Sequence, residues 1–324
     1  MRVRFHLPNF TNHFRFNMVF ASMLRNAPHY FREGVEIASF YGVFPPAVWN
    51  GGRTVGGTTS VDFMKEAIRG ANNAGIPLRF TFTNPMLKEE HLHDEFCNTI
   101  MKLADNGFNE VIVNSPLLED YIRTTYPNYK LTSSTCKRIT DVEELKAELE
   151  KDYHIVVLDY DLNNKFDILE SLPHKEKIEI LSNACCDPGC KLRKTHYQLI
   201  GEQQILYNEH LKKHPDQPFR VQDYTDRNVM SVINCKCRER SVFEVKHLST
   251  HVSPDAIWEK YVPMGFEQFK LEGRTASLLN MLEDYMYYMI KPECRDEARF
   301  MLLHNLELNG IIRIDGPEDL SLGV

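Results

Sequence analysis

The chain has 324 residues, of which 43% are apolar and 26% are charged, a length and composition that suit one globular β/α barrel with insertions. Its apolar runs are far shorter than the ~20 residues of a membrane span, and MRVRFHLPNF lacks the apolar core of an export signal, so we expect a cytoplasmic protein with no membrane partner. The net charge of −7, without a Lys/Arg run, argues against a bulk electrostatic grip on nucleic acid but allows a local basic pocket.

Eight short β-rich segments occur along the chain, and several are nearly continuous apolar runs, as in strands that are buried on both faces. The predicted strands are Val3–Leu7, Val35–Phe40, Leu78–Thr83, Glu110–Asn114, Lys130–Thr135, His154–Asp159, Ile178–Asn183 and Phe266–Glu272. Helical stretches separate them. Three examples are Val61–Asn73, Leu87–Asp105 and Val142–Lys151.

This alternation predicts a parallel sheet covered by helices. Eight strands in succession favour closure into an α/β fold of the TIM type, a (β/α)8 barrel. An open, doubly wound sheet is the alternative, but it would need a Gly-rich turn after the first strand, and none follows there.

The regular alternation is interrupted once, between the seventh and eighth strands. Residues 184–265 form a long insertion with a helical stretch near Tyr197–Lys213, and long insertions of this kind are usually functional. Residues 276–324 are predicted to form closing helices, at Ala276–Ile290 and Asp296–Leu308, and a tail compatible with a short hairpin. We therefore predict a single domain over residues 1–324.

Five of the eight cysteines lie between positions 185 and 237. In a chain with no secretion signal these thiols should be reduced, so their clustering indicates a metal site rather than disulfides, with chance clustering of buried cysteines as the alternative. The predicted ligands are Cys186, Cys190, Cys235 and Cys237. The first two flank a tight turn whose bend Pro188 and Gly189 supply. Four such thiolates suit a 4Fe–4S cluster or, as the alternative, a zinc ion.

The fourth ligand stays open among Cys235, Cys237, Cys136 and Cys185. Cys185 ends the seventh strand and could instead point into the barrel wall, whereas Cys136 follows the fifth strand at the barrel mouth and is a reserve ligand. For Cys97 and Cys294 the sequence context favours ordinary packing.

The chemistry of β/α barrels gathers at the carboxyl ends of the strands. There Lys270, Glu272 and Arg274 alternate along the eighth strand, so their side chains share one side if the pleat continues. Buried charges must be paired or bind a ligand, so a structural salt-bridge layer competes with an anion site. On the second interpretation, the substrate-binding residues are Lys270, Arg274 and Asn183, and the catalytic residues are Asp159 and Glu272.

Residues 49–60, WNGGRTVGGTTS, are Gly-rich, and their backbone N–H groups could cradle an anion. The segment lacks the Gly-Lys-Ser/Thr of a P-loop, so a flexible loop at the barrel mouth is the commoner interpretation. The sequence contains no HExxH and no GxSxG, so a zinc or serine hydrolase has no support from motifs.

Three passages resemble the collagenase-like peptidase family of unassigned catalytic type, family U32. They are Asn183 with Cys186-x-x-x-Cys190, Arg193 and His196-Tyr197; Cys235 and Cys237 ahead of HVSPDAIWEKYVPMGFEQ; and FKLEGRT at 269–275. The resemblance implies a β/α barrel whose cysteines, after the seventh strand and in the insertion, hold a 4Fe–4S cluster. Some members were first labelled peptidases, and others resemble oxygen-independent hydroxylases that act on quinone precursors or RNA bases. Here Asp187-Pro188-Gly189 replaces the Ser-Gly-Arg-Cys-like turn of the family, which leaves the substrate open.

The leading hypothesis is an iron–sulfur redox enzyme that carries out an oxygen-independent modification, such as hydroxylation, of an anionic small molecule or an RNA base. An electron-donor protein or a hetero-oligomer partner would accompany it. A peptidase and a non-catalytic barrel with a structural zinc or iron–sulfur site are the alternatives. Because the seventh and eighth strands are neighbours in a closed barrel, the reaction site is predicted between the cysteine group and the row that begins at Lys270.

Overall fold

Eight parallel strands close into one barrel, each strand pairing with its neighbour in the sequence and the last pairing with the first. The computed structural model that shows this describes residues 1–224, 235–273 and 276–313. The strands are β1 (Val3–Pro8), β2 (Val35–Gly42), β3 (Leu78–Phe82), β4 (Glu110–Val113), β5 (Lys130–Ser133), β6 (Ile155–Val157), β7 (Ile178–Leu181) and β8 (Gln268–Lys270). The predicted (β/α)8 barrel is confirmed.

Helices cover the outside of the barrel and follow the strands in turn. They are α1 (Phe14–Asn26), α2 (Val61–Asn73), α3 (Glu89–Leu92), α4 (Glu95–Ala104), α5 (Pro116–Thr125), α6 (Val142–Leu149), α7 (Phe166–Ser171), α8 (Arg193–Lys213), α9 (Val242–Val245), α10 (Pro254–Ala256), α11 (Leu278–Met289) and α12 (Arg295–Leu308). The predicted helix Leu87–Asp105 is two helices, because the Asp94 side chain accepts the Cys97 N–H and caps a new helix there. No helix among the described residues is both long and apolar enough to cross a membrane.

Alternate residues of the strands pack outward against the helices and form the main apolar core. On β3, Phe80 packs edge-on against Phe10, and Phe82 packs against Trp49. These rings are fully buried, and burying a ring of this size contributes about 1.5–3 kcal/mol. The residues between them, such as Thr81, therefore face the inside of the barrel.

The lower half of the barrel interior is filled by a buried ion network. Arg79 of β3 pairs with Glu179 of β7, and since these strands are not neighbours, the two side chains must meet inside the barrel. Arg79 Nε also lies 3.0 Å from Glu110 Oε2, and Lys270 Nζ lies 3.2 Å from Glu179 Oε1. Burial raises the pKa of Glu179, but Arg79 and Lys270 lower it by more, so the carboxylate stays charged. The interior is therefore a paired, charged floor beneath the mouth.

The insertion between β7 and β8 lies across the mouth, with α8 as its main element. Asn84, just after β3, donates a hydrogen bond of 3.1 Å to the Gly201 carbonyl in the middle of α8. Gly201 is required there, since a Cβ atom at this position would lie 2.2 Å from Asn84 Oδ1. Beyond α12, most of the predicted tail hairpin lies outside the described residues.

Candidate metal centre at the barrel mouth

Cysteine thiols from two separate segments meet at the mouth of the barrel. Cys185 and Cys186 follow β7, Cys237 belongs to the insertion, and the three Sγ atoms lie within 4.8 Å of one another. The Cys186 and Cys237 sulfurs are 3.9 Å apart. Cys235 joins the group through a 2.8 Å contact between its Sγ and that of Cys237. Two of the four predicted ligands, Cys186 and Cys237, thus form one group with Cys185, and Cys235 adjoins this group through Cys237.

The fourth predicted ligand, Cys190, lies at the far side of the predicted turn. The turn is present, with Gly189 at φ +65° and the Cys190 N–H bonded to the Asp187 carbonyl at 3.2 Å. Among the described residues, Cys190 is not in the group of thiols within 4.8 Å, whereas Cys185 is. A ligand role for Cys190 therefore stays a prediction.

The Gly-rich segment at residues 49–60 places the positively charged side chain of Arg53 beside these thiols. Arg53 Nη2 lies 3.2 Å from Cys185 Sγ, and the same guanidinium pairs with Glu272. The Gly57 N–H donates to the Tyr207 hydroxyl of α8 at 2.8 Å, so the loop is attached to the insertion. Gly51 allows a close approach to β3, where a Cβ atom would lie 2.4 Å from the Thr83 carbonyl oxygen.

Arg53 was not among the predicted site residues, because only its place between two glycine pairs sets it apart from other arginines. Its environment makes it a permanent cation: burial lowers its pKa, but Cys185 and Cys186 raise it by more. The reverse effect acts on Cys186. Hydrogen bonds with Cys185 and Cys237 lower its pKa, burial opposes them, and Arg53 assists them. These contacts favour the thiolate form of Cys186, the form that binds metals.

Two predicted site residues connect the ends of β7 and β8. Asn183 Oδ1 accepts the Glu272 N–H at 2.5 Å, and Asn183 Nδ2 donates to the Glu272 carbonyl at 3.1 Å. Glu272 Oε2 in turn accepts the Cys185 N–H at 2.9 Å. The carboxylate of Glu272 is thus engaged by Arg53 and by the backbone beside the thiols, in a positioning arrangement.

The other members of the charged row are divided. Lys270 ends β8, pairs with Glu179 and lies with its Nζ 4.2 Å from the centre of the Tyr41 ring, facing the mouth cavity. Lys270 therefore belongs to the ion network and to the cavity floor. Arg274 lies outside the described residues.

Asp159, predicted as an acid or base, stands at the mouth after β6 and is buried. Its Oδ2 accepts a hydrogen bond of 2.5 Å from Arg193 Nη2, and its Oδ1 accepts the Asp161 N–H. Burial raises the pKa of Asp159, and Arg193 opposes that effect. In this arrangement Asp159 fastens the first residue of α8 to the end of β6, and its catalytic role stays a prediction.

Two cavities adjoin the thiols. The inner one lies within the mouth and is lined by Tyr41, Thr81, Tyr160, Lys270, Arg53 and Cys186, among others. The outer one, of about 760 Å³, lies between α8, the segment of Cys235 and Cys237, and the start of α11, and Cys186 also lines it. A volume of this size suits a small-molecule ligand. A soft metal centre held here would border a polar cavity that contains a cation and aromatic hydroxyls.

One buried acid near the site was not predicted. Asp284 of α11 is only 6% exposed and shares a small cavity with Asn183, Glu272 and Cys185. Burial raises the pKa of Asp284 to about 7, although Asn183 opposes the rise. Nothing in the sequence distinguished it, because it lies on an ordinary amphipathic helix.

Comparison with known proteins gives one partial match to a family model and one match to a solved structure. No curated protein matches the chain. A solved structure described as the U32 peptidase Mk0906 is 12% identical with a TM-score of 0.49, and the match covers 86% of this chain and 95% of that one. Residues 50–179, less than half of the chain, match the model of peptidase family U32, a range that ends before the cysteine group. This match supports a relationship of the chain to peptidase family U32.

Proposed function

We propose that this chain is a redox enzyme that holds an iron–sulfur cluster on the thiol group at the barrel mouth. The observation that carries the proposal is the convergence of Cys185 and Cys186 with Cys237, from segments about fifty positions apart, beside two cavities. A purely structural metal site, which only attached the insertion to the barrel, would not need a cavity on either side of the thiols. The substrate proposed is a small anionic molecule, since Lys270 and Arg53 line the inner cavity.

The donor set favours a soft metal centre. Within the described residues, the group within 4.8 Å consists of cysteine thiols alone, which suits zinc or iron–sulfur chemistry and not a hard ion such as magnesium. Tetrahedral zinc, with Zn–S bonds of about 2.3 Å, places thiolates about 3.8 Å apart. The 3.9 Å between Cys186 and Cys237 fits that spacing, while 2.8 Å between Cys235 and Cys237 is too short for two ligands of one ion. Zinc is therefore the competing assignment.

A bound cluster would supply one-electron transfer, with a separate protein as the electron donor. The residues of this chain would do the rest. Arg53 neutralises the thiolates, Glu272 holds Arg53, and Lys270 binds the anionic group of the substrate above the charged floor.

The test is to purify the protein without oxygen and to measure iron, acid-labile sulfide and zinc per chain. We expect iron with sulfide, a brown colour, and reversible bleaching by dithionite. Cys186→Ser and Cys237→Ser should lose the iron, while Cys294→Ser, a partly exposed cysteine outside the group, should keep it. One zinc per chain without sulfide would overturn the assignment of an iron–sulfur cluster. A cluster that cannot be reduced would contradict the redox function and indicate a structural site.

A peptidase is the second candidate, because residues 50–179 match a family model of that description. The surroundings of Cys186 lower the pKa of its thiol, but among the described residues it forms no hydrogen bond with a histidine, the usual partner of a cysteine nucleophile. Incubation with denatured casein, followed by counting of new N-termini, separates the two functions. Cleavage by the metal-free protein that Cys186→Ser abolishes would establish the peptidase.

A further inference from the structure

A second cleft at the mouth opens between the segment that follows β5 and the first turns of α8. It has a volume of about 420 Å³, and its lining includes Cys136, Arg138, Lys194 and Gln198. Cys136 lies on a short turn, Thr135–Lys137, directly after β5. Among the described residues, neither Lys270 and Glu272 of the charged row nor the thiol group of Cys185, Cys186 and Cys237 lines this cleft.

Two of its cations have no acidic counterpart. Among the residues that the structure describes, Arg138 and Lys194 make no ion pair, and Arg138 Nε is buried without a hydrogen-bond partner. The third cation of the cleft, Lys137, is neutralised by Glu148 at 2.7 Å. A buried guanidinium nitrogen without a partner is costly, and this one belongs to a residue that lines the cleft.

The excess of two positive charges selects the kind of anion. A carboxylate or a phosphodiester carries one negative charge, whereas a phosphate monoester carries about −1.5 to −2 at pH 7. Arg138 supplies a planar fork of donors and Lys194 a point charge, the two cation types that proteins use on phosphate. This local charge is notable in a chain with a net charge of −7.

The cleft adjoins the inner cavity. Cys136 and Tyr197 line both spaces, so they form the boundary between them. Tyr197 is buried and also lines the outer cavity beside Cys186. A ligand whose phosphate lies between Arg138 and Lys194 would therefore extend past Tyr197 toward the thiols.

We propose that this cleft binds the phosphate monoester group of a small substrate, whose other end reaches the thiol centre past Cys136 and Tyr197. The position of the reacting end rests on the proposed redox function. The phosphate site itself rests only on the two unpaired cations and the cleft between them.

The test measures binding of inorganic phosphate and of dimethyl phosphate by isothermal titration calorimetry at pH 7.5. The variants are Arg138→Gln, Lys194→Gln and the double variant, with Lys65→Gln, an exposed lysine of α2, as the control of equal charge change. Each single variant should weaken phosphate binding by about tenfold, the value of one charge-assisted hydrogen bond, and the double variant should abolish it. Lys65→Gln should bind as the wild type does.

Phosphate binding that is unchanged in the double variant, or absent in the wild type, would overturn the site. Equal affinity for dimethyl phosphate would overturn the monoester assignment and favour a nucleic-acid backbone. Iron and sulfide measured on the same samples separate the two proposals. Phosphate binding in a protein that holds no cluster would sink the redox function and leave the phosphate site intact, since Lys194 is exposed on α8 and does not touch the thiols.

Discussion

Arg53 Nη2 lies 3.2 Å from Cys185 Sγ, on a guanidinium that Glu272 holds from the other side. A cation in this place favours the thiolate form of the cysteines and donates a hydrogen bond to a sulfur. Both effects would tune a metal centre bound to these thiols, because net charge and hydrogen bonds to sulfur influence the reduction potential of such centres.

Arg53→Gln should therefore lower the reduction potential of the loaded centre. Removal of the cation destabilises the reduced form of the centre more than the oxidised form, because the oxidised form carries less negative charge. We expect a shift on the order of 60 mV, tenfold in a one-electron equilibrium, in an anaerobic redox titration followed by visible absorption. The reduction potential of Arg53→Lys should lie between those of the wild type and Arg53→Gln. Arg69→Gln, on the exposed face of α2, is the control, and a potential that is the same in Arg53→Gln and in the control would contradict the role.

Asp284 gives the protein a pH dependence of defined sign. Its pKa is about 7 in the folded chain and about 3.9 when unfolded, so between these values the folded state binds the extra proton. The free energy of unfolding should then fall as pH rises from 4 to 7, by up to about 4 kcal/mol. Asp284→Asn should remove that fall and be the more stable protein at pH 8. Urea unfolding of the wild type and of Asp284→Asn at pH 5 and pH 8 tests this, with the exposed Asp216→Asn as control. An equal loss of unfolding free energy between these pH values in the wild type and in Asp284→Asn would refute the role of Asp284.

The buried ion network should not tolerate loss of its central carboxylate. Glu179→Gln leaves Arg79 and Lys270 without their shared counter-ion, and breaking such a buried pair costs about 3–5 kcal/mol. Chemical denaturation should show this loss, while the neighbouring Glu176→Gln, which is exposed, should change stability by less than about 0.5 kcal/mol. Equal stability of Glu179→Gln and Glu176→Gln would mean that ion pairing does not stabilise the interior of the barrel.

The contact between Gly201 and Asn84 should fix α8 over the mouth. In Gly201→Ala the new Cβ would overlap Asn84 Oδ1, and overpacking of this kind costs about 1–3 kcal/mol, more than the helix propensity gained. Gly56→Ala is the matched control, because its nearest atom would be the Tyr207 hydroxyl at 4.0 Å. In thermal unfolding experiments, we expect Gly201→Ala to have a lower Tm than the wild type and Gly56→Ala to have the same Tm. An unchanged Tm in Gly201→Ala would show that α8 can shift to accommodate the new methyl group.

The barrel was predictable because each strand carries its own signal. A buried parallel strand such as Glu110–Val113 is a short apolar run, and the order of the strands follows from their succession. The split between α3 and α4 was not predictable from periodicity, since Asp94 acts there as a cap, which is a local competition between two hydrogen-bond patterns.

The thiol site was predictable as a region and less so as a set of ligands. The spacing of Cys186 and Cys190 indicated the turn, which is present, but spacing does not tell which way each side chain points after β7. Cys185 faces the group because its N–H is held by Glu272, a contact across more than eighty positions. Arg53 and Asp284 enter the site in the same long-range way, so no local pattern marks them.

The contributors to the metal centre are widely separated in the sequence: Arg53 lies near the start, Cys185 past the middle, Cys237 later still, and Glu272 after the last strand. During synthesis on the ribosome, the first pair of thiols emerges well before the carboxylate that holds their counter-ion. We therefore expect that the proposed cluster would be inserted only after β8 has been synthesised, so that its presence would report closure of the barrel. A stalled nascent chain that ends before β8 should expose reactive thiols to alkylation, whereas the completed protein should protect them.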